Sequence, residues 1–302
     1  MLYEFLLPLT SYVSGFNIFR YISFRAAGAA ITSLLVCFVV GPWMLRWLQG
    51  LAIHQVVRQG TPDSHAGKGT TPTMGGLIIL ASVAGSTLLW MRFDSRYVWL
   101  ALVVTVLMGA IGFLDDYLKR KQKREGKHNE GLVERYKLAG QITIGLGLGI
   151  FLWQFPLNNL PGASTTLPFY KYVLIIPTIP LLYPPCVAFV MTGTSNAVNL
   201  TDGLDGLAAG LMAIAMLTMA MFAYVMGRFD ASEYLQIFYL RGAGELTIFC
   251  SAVFGAAMGF LWYNAHPAQV FMGDTGSLAL GGALGAVAIL LKSEFLVLIV
   301  GG

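Results

Sequence analysis

Apolar stretches of about 20 residues, the length that crosses ~30 Å of hydrocarbon, recur along this chain. They lie near 26–48, 73–91, 97–114, 136–155, 172–191, 206–227, 243–263 and 277–291, and a ninth begins near 295. Short polar connections separate them. In lipid each spanning segment must satisfy its own backbone, so the pattern predicts an all-α polytopic membrane protein with eight to nine transmembrane helices in one integral domain, 1–302. Residues 1–25 are interrupted by Pro8, Gly15 and the Arg20/Arg25 pair, and are expected to form an interfacial lead-in to the first span. They lack the basic start and small-residue cleavage pattern of a signal peptide, so they are expected to be retained.

Composition strengthens this picture. The chain is 56% hydrophobic and 11% charged, with a mean hydropathy of +0.69, which excludes an ordinary soluble domain. Cys37, Cys186 and Cys250 fall inside apolar runs without pairing or ligand spacing and read as small buried hydrophobes. The methionines of 212–226 read as span surface, and the pairs Gly255/Gly259 and Gly281/Gly285 have the small-xxx-small spacing of packed membrane helices.

Charge sets the expected orientation. With the N-terminus outside, the inner connections are 46–72, 115–137, 192–205 and 264–276. KRKQKREGK (119–127) lies in the second of them, a basic cytoplasmic loop, while the outer PLNNLPGASTTLPF (156–169) carries no charge; this is the positive-inside bias. That topology brings the chemistry-bearing residues to one face. Asp115, Asp116, Asp202, Asp205, Asp274, Lys68, Lys119, Lys137, Asn196, Asn199 and Asn264 all fall at inner span ends or in inner connections.

Four segments carry the candidate site. In GFLDDYLK (112–119), Asp115 and Lys119 share a helix face. Such a pair serves either as an interface anchor or, with its neighbouring carboxylate, in magnesium-assisted phosphoryl transfer, because Mg²⁺ takes oxygen ligands from one or two carboxylates and substrate phosphates. In NAVNLTDGLDGL (196–207), Asn196, Asn199, Asp202 and Asp205 recur every third residue, which on a helix fans them over about half the circumference. They converge only if the segment tightens or breaks, and Gly203 and Gly206 permit a break. In AQVFMGDTGSLALGG (268–282), Asp274 either caps the following span or serves the site, and Phe271 either anchors at the interface or stacks on a base. In KGTTPTMGG (68–76), Thr71 as N-cap and Pro72 at the first helical position would open the second span and turn its free N–H groups to an anion beside Lys68. P-loop, GxSxG and HExxH patterns are absent and the four histidines show no ligand spacing, which argues against P-loop nucleotide hydrolases, serine hydrolases and zinc proteases.

Taken together and in this order, GTTPTMGG, FLDDYLK, NAVNLTDGLDGL and AQVFMGDTGSLALGG resemble the polyprenyl-phosphate N-acetylhexosamine-1-phosphate transferases, a bacterial superfamily. TPTMGG and the whole-chain likeness favour its peptidoglycan branch. The resemblance implies about ten transmembrane helices in a full-length member, with a histidine-rich inner loop and a final span in roughly sixty further residues. It implies transfer from UDP-N-acetylmuramoyl-pentapeptide to undecaprenyl phosphate, with release of UMP and formation of lipid I, a requirement for Mg²⁺, and a homodimer in the bacterial inner membrane with its active site on the cytoplasmic face. A nucleic-acid partner is not expected. By motif position Asp274 would be the direct metal ligand with Asp115 and Asp116 next to it, and Lys119 would join these three as catalytic. Lys68, Thr73, Lys137, Asn196, Asn199, Asp202, Gly203, Leu204, Asp205, Asn264 and Phe271 would contact substrate, with Gly203, Leu204, Asp205 and Phe271 at the uracil end.

Two other readings remain at this stage: a sister enzyme transferring N-acetylglucosamine-1-phosphate, and an ion-coupled transporter, which would carry ionisable groups mid-span rather than at inner ends. Of two mechanisms, direct attack by the lipid phosphate is favoured over an aspartyl-phosphate intermediate, because two anionic substrates can meet in one site without a covalent relay.

Overall fold

The computed structural model describes residues 1–50, 71–124, 131–157, 160–167, 174–175 and 180–301. Helices follow the apolar runs: α1 (Leu2–Leu6), α2 (Ile22–Gly50), α3 (Gly76–Trp90), α4 (Arg96–Arg124), α5 (Glu134–Gln154), α6 (Tyr183–Thr201), α7 (Leu207–Met226), α8 (Phe229–Leu235), α9 (Leu246–Asn264), α10 (Gly273–Leu290) and α11 (Glu294–Gly301). A two-residue antiparallel pair, β1 (Thr165–Thr166) with β2 (Leu174–Ile175), precedes α6. Among the described residues five helices are long and apolar enough to cross a membrane, and α3 is a shorter apolar one. The chain is thus an all-α polytopic membrane protein.

Three boundaries depart from the pattern. The fifth span, expected at 172–191, is α6, displaced toward the C-terminus. Pro184 and Pro185 sit in its first turn, where a missing N–H costs nothing, and the polar TGTSNAVNLT tail continues the helix to Thr201. Helix α4 runs through Arg124, so the first half of the basic 115–137 segment is helical. Arg25, expected in the lead-in, lies inside α2 and is buried, bound bidentately by Glu245 at 2.8 and 2.6 Å.

Helix α10 is the centre. In their most apolar windows 83% of α10 and 78% of α9 are buried, against 28% of α2, so the first two are interior and α2 forms a rim. Helices α3, α4 and α6 pack on α10, α5 packs on α6, and α2 and α7 flank α9. Small residues allow this, because between lipid-immersed helices close van der Waals contact replaces hydrophobic driving force. A Cβ on Gly281 would lie 2.6 Å from the Ser195 Cα of α6, and one on Gly255 2.1 Å from the Ala30 carbonyl of α2. Both glycine pairs are therefore interfaces, as their spacing suggested. The methionines of α7 are not span surface: Met212, Met216, Met219 and Met226 are buried, while Met221 is exposed. Cys186, in turn, is exposed rather than buried.

Because successive long helices run antiparallel, the C-terminal ends of α2, α4, α6 and α9 meet the N-terminal ends of α3, α5, α7 and α10 at one end of the bundle. The carboxylates, lysines and amides collect there. At the opposite end lie the Arg25–Glu245 pair and the β1–β2 hairpin, tied by the Thr166 N–H to the Lys292 carbonyl at 2.9 Å.

Candidate active site

Helix α4 delivers the first groups. Lys119 Nζ stands 2.7 Å from Asp115 Oδ2, the i,i+4 pair its spacing implied. The same ammonium donates to Asp274 Oδ2 at 3.0 Å, and Lys137 Nζ, in the first turn of α5, reaches that oxygen at 2.7 Å and Asp115 Oδ2 at 3.8 Å. Two carboxylates and two ammonium groups from three helices thus form one closed network. Asp115 is buried and its Oδ1 accepts the Leu132 N–H at 2.7 Å, which fixes the start of α5 against α4. The lysine side chain of residue 119 is 37% exposed, so the network opens to the surface there.

Helix α6 supplies the amides, and its fan resolves as the helical geometry requires. Asn199 Nδ2 donates to Asp274 Oδ1 and to Ser277 Oγ, both at 2.8 Å. Asn196, one turn earlier, faces α5 instead and exchanges hydrogen bonds with Gln141 at 2.9 and 3.3 Å. The chain then breaks: Asp202 ends α6, and Gly206 at φ +76° starts α7 in a conformation that costs other residues energy. Burial, together with the nearby Asp274 and Asp116 carboxylates, pushes the Asp202 carboxyl up to about 7 against the opposing pull of the Gly273 N–H. Asp205 Oδ2 lies 3.1 Å from Nδ1 of exposed His266, and Gly203 and Leu204 are exposed between them.

The segment before α10 is braced from three sides. Gly75 and Gly76 N–H groups donate to the Phe271 and Met272 carbonyls at 2.9 Å each, and the Phe271 N–H donates to the Pro72 carbonyl at 2.9 Å. This corrects the expectation that Thr71 caps the second span. Helix α3 starts at Gly76 without a side-chain cap, and its first N–H groups bind backbone rather than facing an anion. Thr73 lies beside Gly273, its Oγ1 3.2 Å from where a Gly273 Cβ would stand. Asn264 is buried, accepting from the Gly206 N–H at 3.1 Å and donating to the Val270 carbonyl at 2.9 Å. It ties the turn before α7 to the segment before α10. Phe271 is half-buried. Lys68 lies outside the described residues.

Asp274 does not cap its own helix. Its oxygens face Asn199, Lys119 and Lys137, while Asp116 on α4 accepts the Asp274 and Thr275 N–H groups at 3.3 and 2.9 Å and the Thr275 hydroxyl at 2.6 Å. The structure therefore brings Asp115, Lys119, Lys137, Asn199 and Asp274 into mutual contact and leaves Asn196, Asp205 and Asn264 in neighbouring contacts. The reading by motif omitted Gln141, Thr275 and Ser277. Gln141 was detectable as an amide well inside an apolar run; the two hydroxyls were obscured by their alternative role as helix caps.

Among the described residues no group of three or more acidic, His or Cys side chains forms a ready metal cage. Magnesium does not ask for one, since it is commonly held by one or two carboxylates and substrate phosphates. Asp274 and Asp115, with oxygens turned to the same cations, are hard donors that fit this mode; Asp116, committed to the α10 backbone, fits it less well.

The profile described as glycosyl transferase family 4 matches residues 98–292. Over its full length the chain is 69% identical to a phospho-N-acetylmuramoyl-pentapeptide-transferase of Gemmatimonas aurantiaca, covering 80% of that protein. It is 49% identical to proteins of the same name from Citrifermentans bemidjiense and a Geobacter species, again over all of this chain and 82% of each relative.

Proposed function

Because this chain belongs to glycosyl transferase family 4, among its phospho-N-acetylmuramoyl-pentapeptide transferases, we propose that it transfers phospho-N-acetylmuramoyl-pentapeptide from its UDP donor to undecaprenyl phosphate. The products are lipid I and UMP. The observation that supports this most directly is the Asp115–Lys119–Lys137–Asp274 network, in which two ammonium groups and two carboxylates converge at one end of a membrane-spanning bundle. Such a site suits two anionic phosphates, one of them on a lipid. We take that end to be cytoplasmic, the N-terminus to be outside, and the working form to be a homodimer in the bacterial inner membrane.

The reaction needs little covalent help. A phosphomonoester loses its second proton near pH 6, so the lipid phosphate is largely dianionic at neutral pH. One of its oxygens attacks the sugar-linked phosphorus, the bond from that phosphorus to the bridging oxygen breaks, and UMP leaves with the electron pair. Lys119 and Lys137 would shift from the carboxylates toward the phosphates and hold them in line, while Asp115 orients the attacking phosphate. Asn199 keeps Asp274 in a single orientation. Bound at Asp274 with Asp115 adjacent, Mg²⁺ would neutralise the charge that gathers on the pyrophosphate.

The test is Mg²⁺-dependent UMP release from UDP-N-acetylmuramoyl-pentapeptide with undecaprenyl phosphate in detergent, with UDP-N-acetylglucosamine run in parallel. Release from the muramoyl donor alone is expected. Release from the N-acetylglucosamine donor alone would move the chain to the sister branch.

A further inference from the structure

Asp115 and Asp116 are neighbours in sequence but about 100° apart around α4, and the structure gives them different surroundings. Asp115 faces the lysines. Asp116, 8% exposed, faces the first turn of α10.

A helix start leaves four N–H groups without intrahelical acceptors, and a nearby negative charge is favoured by the helix dipole. In α10 neither usual remedy is local. The residue before the helix, Met272, offers no side-chain cap, and the acid of the first turn, Asp274, points away to Asn199, Lys119 and Lys137. The caps come from other helices: Asp202 at the end of α6 takes the Gly273 N–H, and α4 takes the next two. Asp116 Oδ1 accepts the Asp274 N–H and its Oδ2 accepts the Thr275 N–H and hydroxyl, so both oxygens are committed to α10. The two helices also meet backbone to backbone: a Cβ on Gly112, one turn before Asp116, would lie 2.1 Å from the Asp274 carbonyl oxygen. A Cβ on Gly273, at φ +72°, would lie 2.9 Å from Asp116 Oδ2.

We propose that Asp116 is a positioning residue that caps α10 from α4 and thereby sets where the Asp274 carboxylate stands, without itself touching substrate or metal. This rests on the reading of Asp274 as a working carboxylate. The capped amide belongs to Asp274 itself, so a shift at the cap is transmitted to that side chain through its own backbone.

The experiment compares Asp116→Asn, Asp116→Ala, Thr275→Val and the Asp116→Asn/Thr275→Val double variant in the full-length protein. Turnover is measured, together with amide hydrogen exchange over 273–277 in metal-free detergent. Asparagine keeps one of the two acceptor oxygens and loses the other with the charge, so Asp116→Asn is expected to lose about tenfold in kcat, less than alanine, with an unchanged donor KM. Asp116→Ala leaves the amides without an acceptor and is expected to lose at least about a hundredfold, with faster exchange across that first turn. Thr275→Val and Asp116→Asn are expected to be non-additive, because they act through one contact. The proposal is overturned if asparagine is as inactive as alanine while exchange at 273–277 is unchanged, or if the two substitutions add fully. Asp274→Asn run alongside separates the two ideas. If it retains turnover, the reading of Asp274 fails, whereas the exchange data still report on the cap.

Discussion

At the scale of single residues the proposed site divides into groups that would act and groups that would aim. Asp274 meets two lysines and an asparagine, so its loss removes the point where three helices converge. Asp274→Ala is expected to reduce turnover by more than about a hundredfold while leaving the protein folded in detergent; near-normal UMP release would refute its role. Gln141→Leu removes the partner that orients Asn196 and is expected to lower kcat/KM by about tenfold, one lost hydrogen bond's worth. Asp202 offers a prediction with a definite sign. Its carboxyl is raised from 3.8 to about 7 in the folded protein. A group held above its unfolded value opposes folding once it ionises, so this contribution to stability is lost as pH rises from about 4 to about 7. Asp202→Asn in metal-free detergent should therefore melt with the parent near pH 4 and above it near pH 8, by the equivalent of a few kcal/mol. Equal melting at both values would contradict the shift.

At the scale of elements, the close approach of α10 to its neighbours carries the geometry. A Cβ on Gly76 would sit 2.1 Å from the Gly276 backbone nitrogen, with no flexible side chain there to yield. Gly76→Ala is expected to destabilise by at least about 1–3 kcal/mol, as overpacking does, and to lower activity together with stability, because the α3–α10 crossing sets the height of Asp274. Thermal melts and UMP release on the same samples would show whether the two losses travel together. Much of this level was legible in the sequence. Apolar length placed seven of the eight principal helices near their positions, and the paired glycines marked real interfaces. The fifth span was misplaced because periodicity and hydropathy see only side chains: TGTSNAVNLT is polar, yet its backbone remains helical since Asn199 and Ser195 find partners on α10. The start of α3 was misread for a related reason. Thr71-Pro72 has the local chemistry of a cap, but the Phe271 and Met272 carbonyls take the N–H groups first, a long-range pairing that local spacing cannot reveal. Spacing also brought Asp115 and Asp116 to the site as equals, where the roughly 100° between them decides which one faces the lysines.

At the scale of the whole molecule, one end of the bundle gathers the lysine–carboxylate network and the other a separate buried ion pair. Arg25 and Glu245 are buried together far from the lysine–carboxylate network. Removing one partner strands the other, so Arg25→Ala is expected to cost about 3–5 kcal/mol, whereas Arg25→Met with Glu245→Leu should recover most of that. Melting temperatures of the single and double variants would decide, with activity per folded molecule unchanged in each. The proposed orientation is tested separately. In a background without native cysteines, a cysteine replacing exposed Tyr12 should react with a membrane-impermeant maleimide on intact cells, and one replacing exposed Leu204 only after permeabilisation. The reverse pattern would invert the topology. The network that joins these scales also has a consequence in time. Lys119 and Asp274 are separated by 155 positions along the chain, so during synthesis the lysine and Asp115 are in place long before the carboxylate that completes the site exists. A nascent chain halted anywhere before α10 would hold the membrane-inserted scaffold of a catalyst with its charges unbalanced. The lysine–carboxylate network would close only with the arrival of a single late helix.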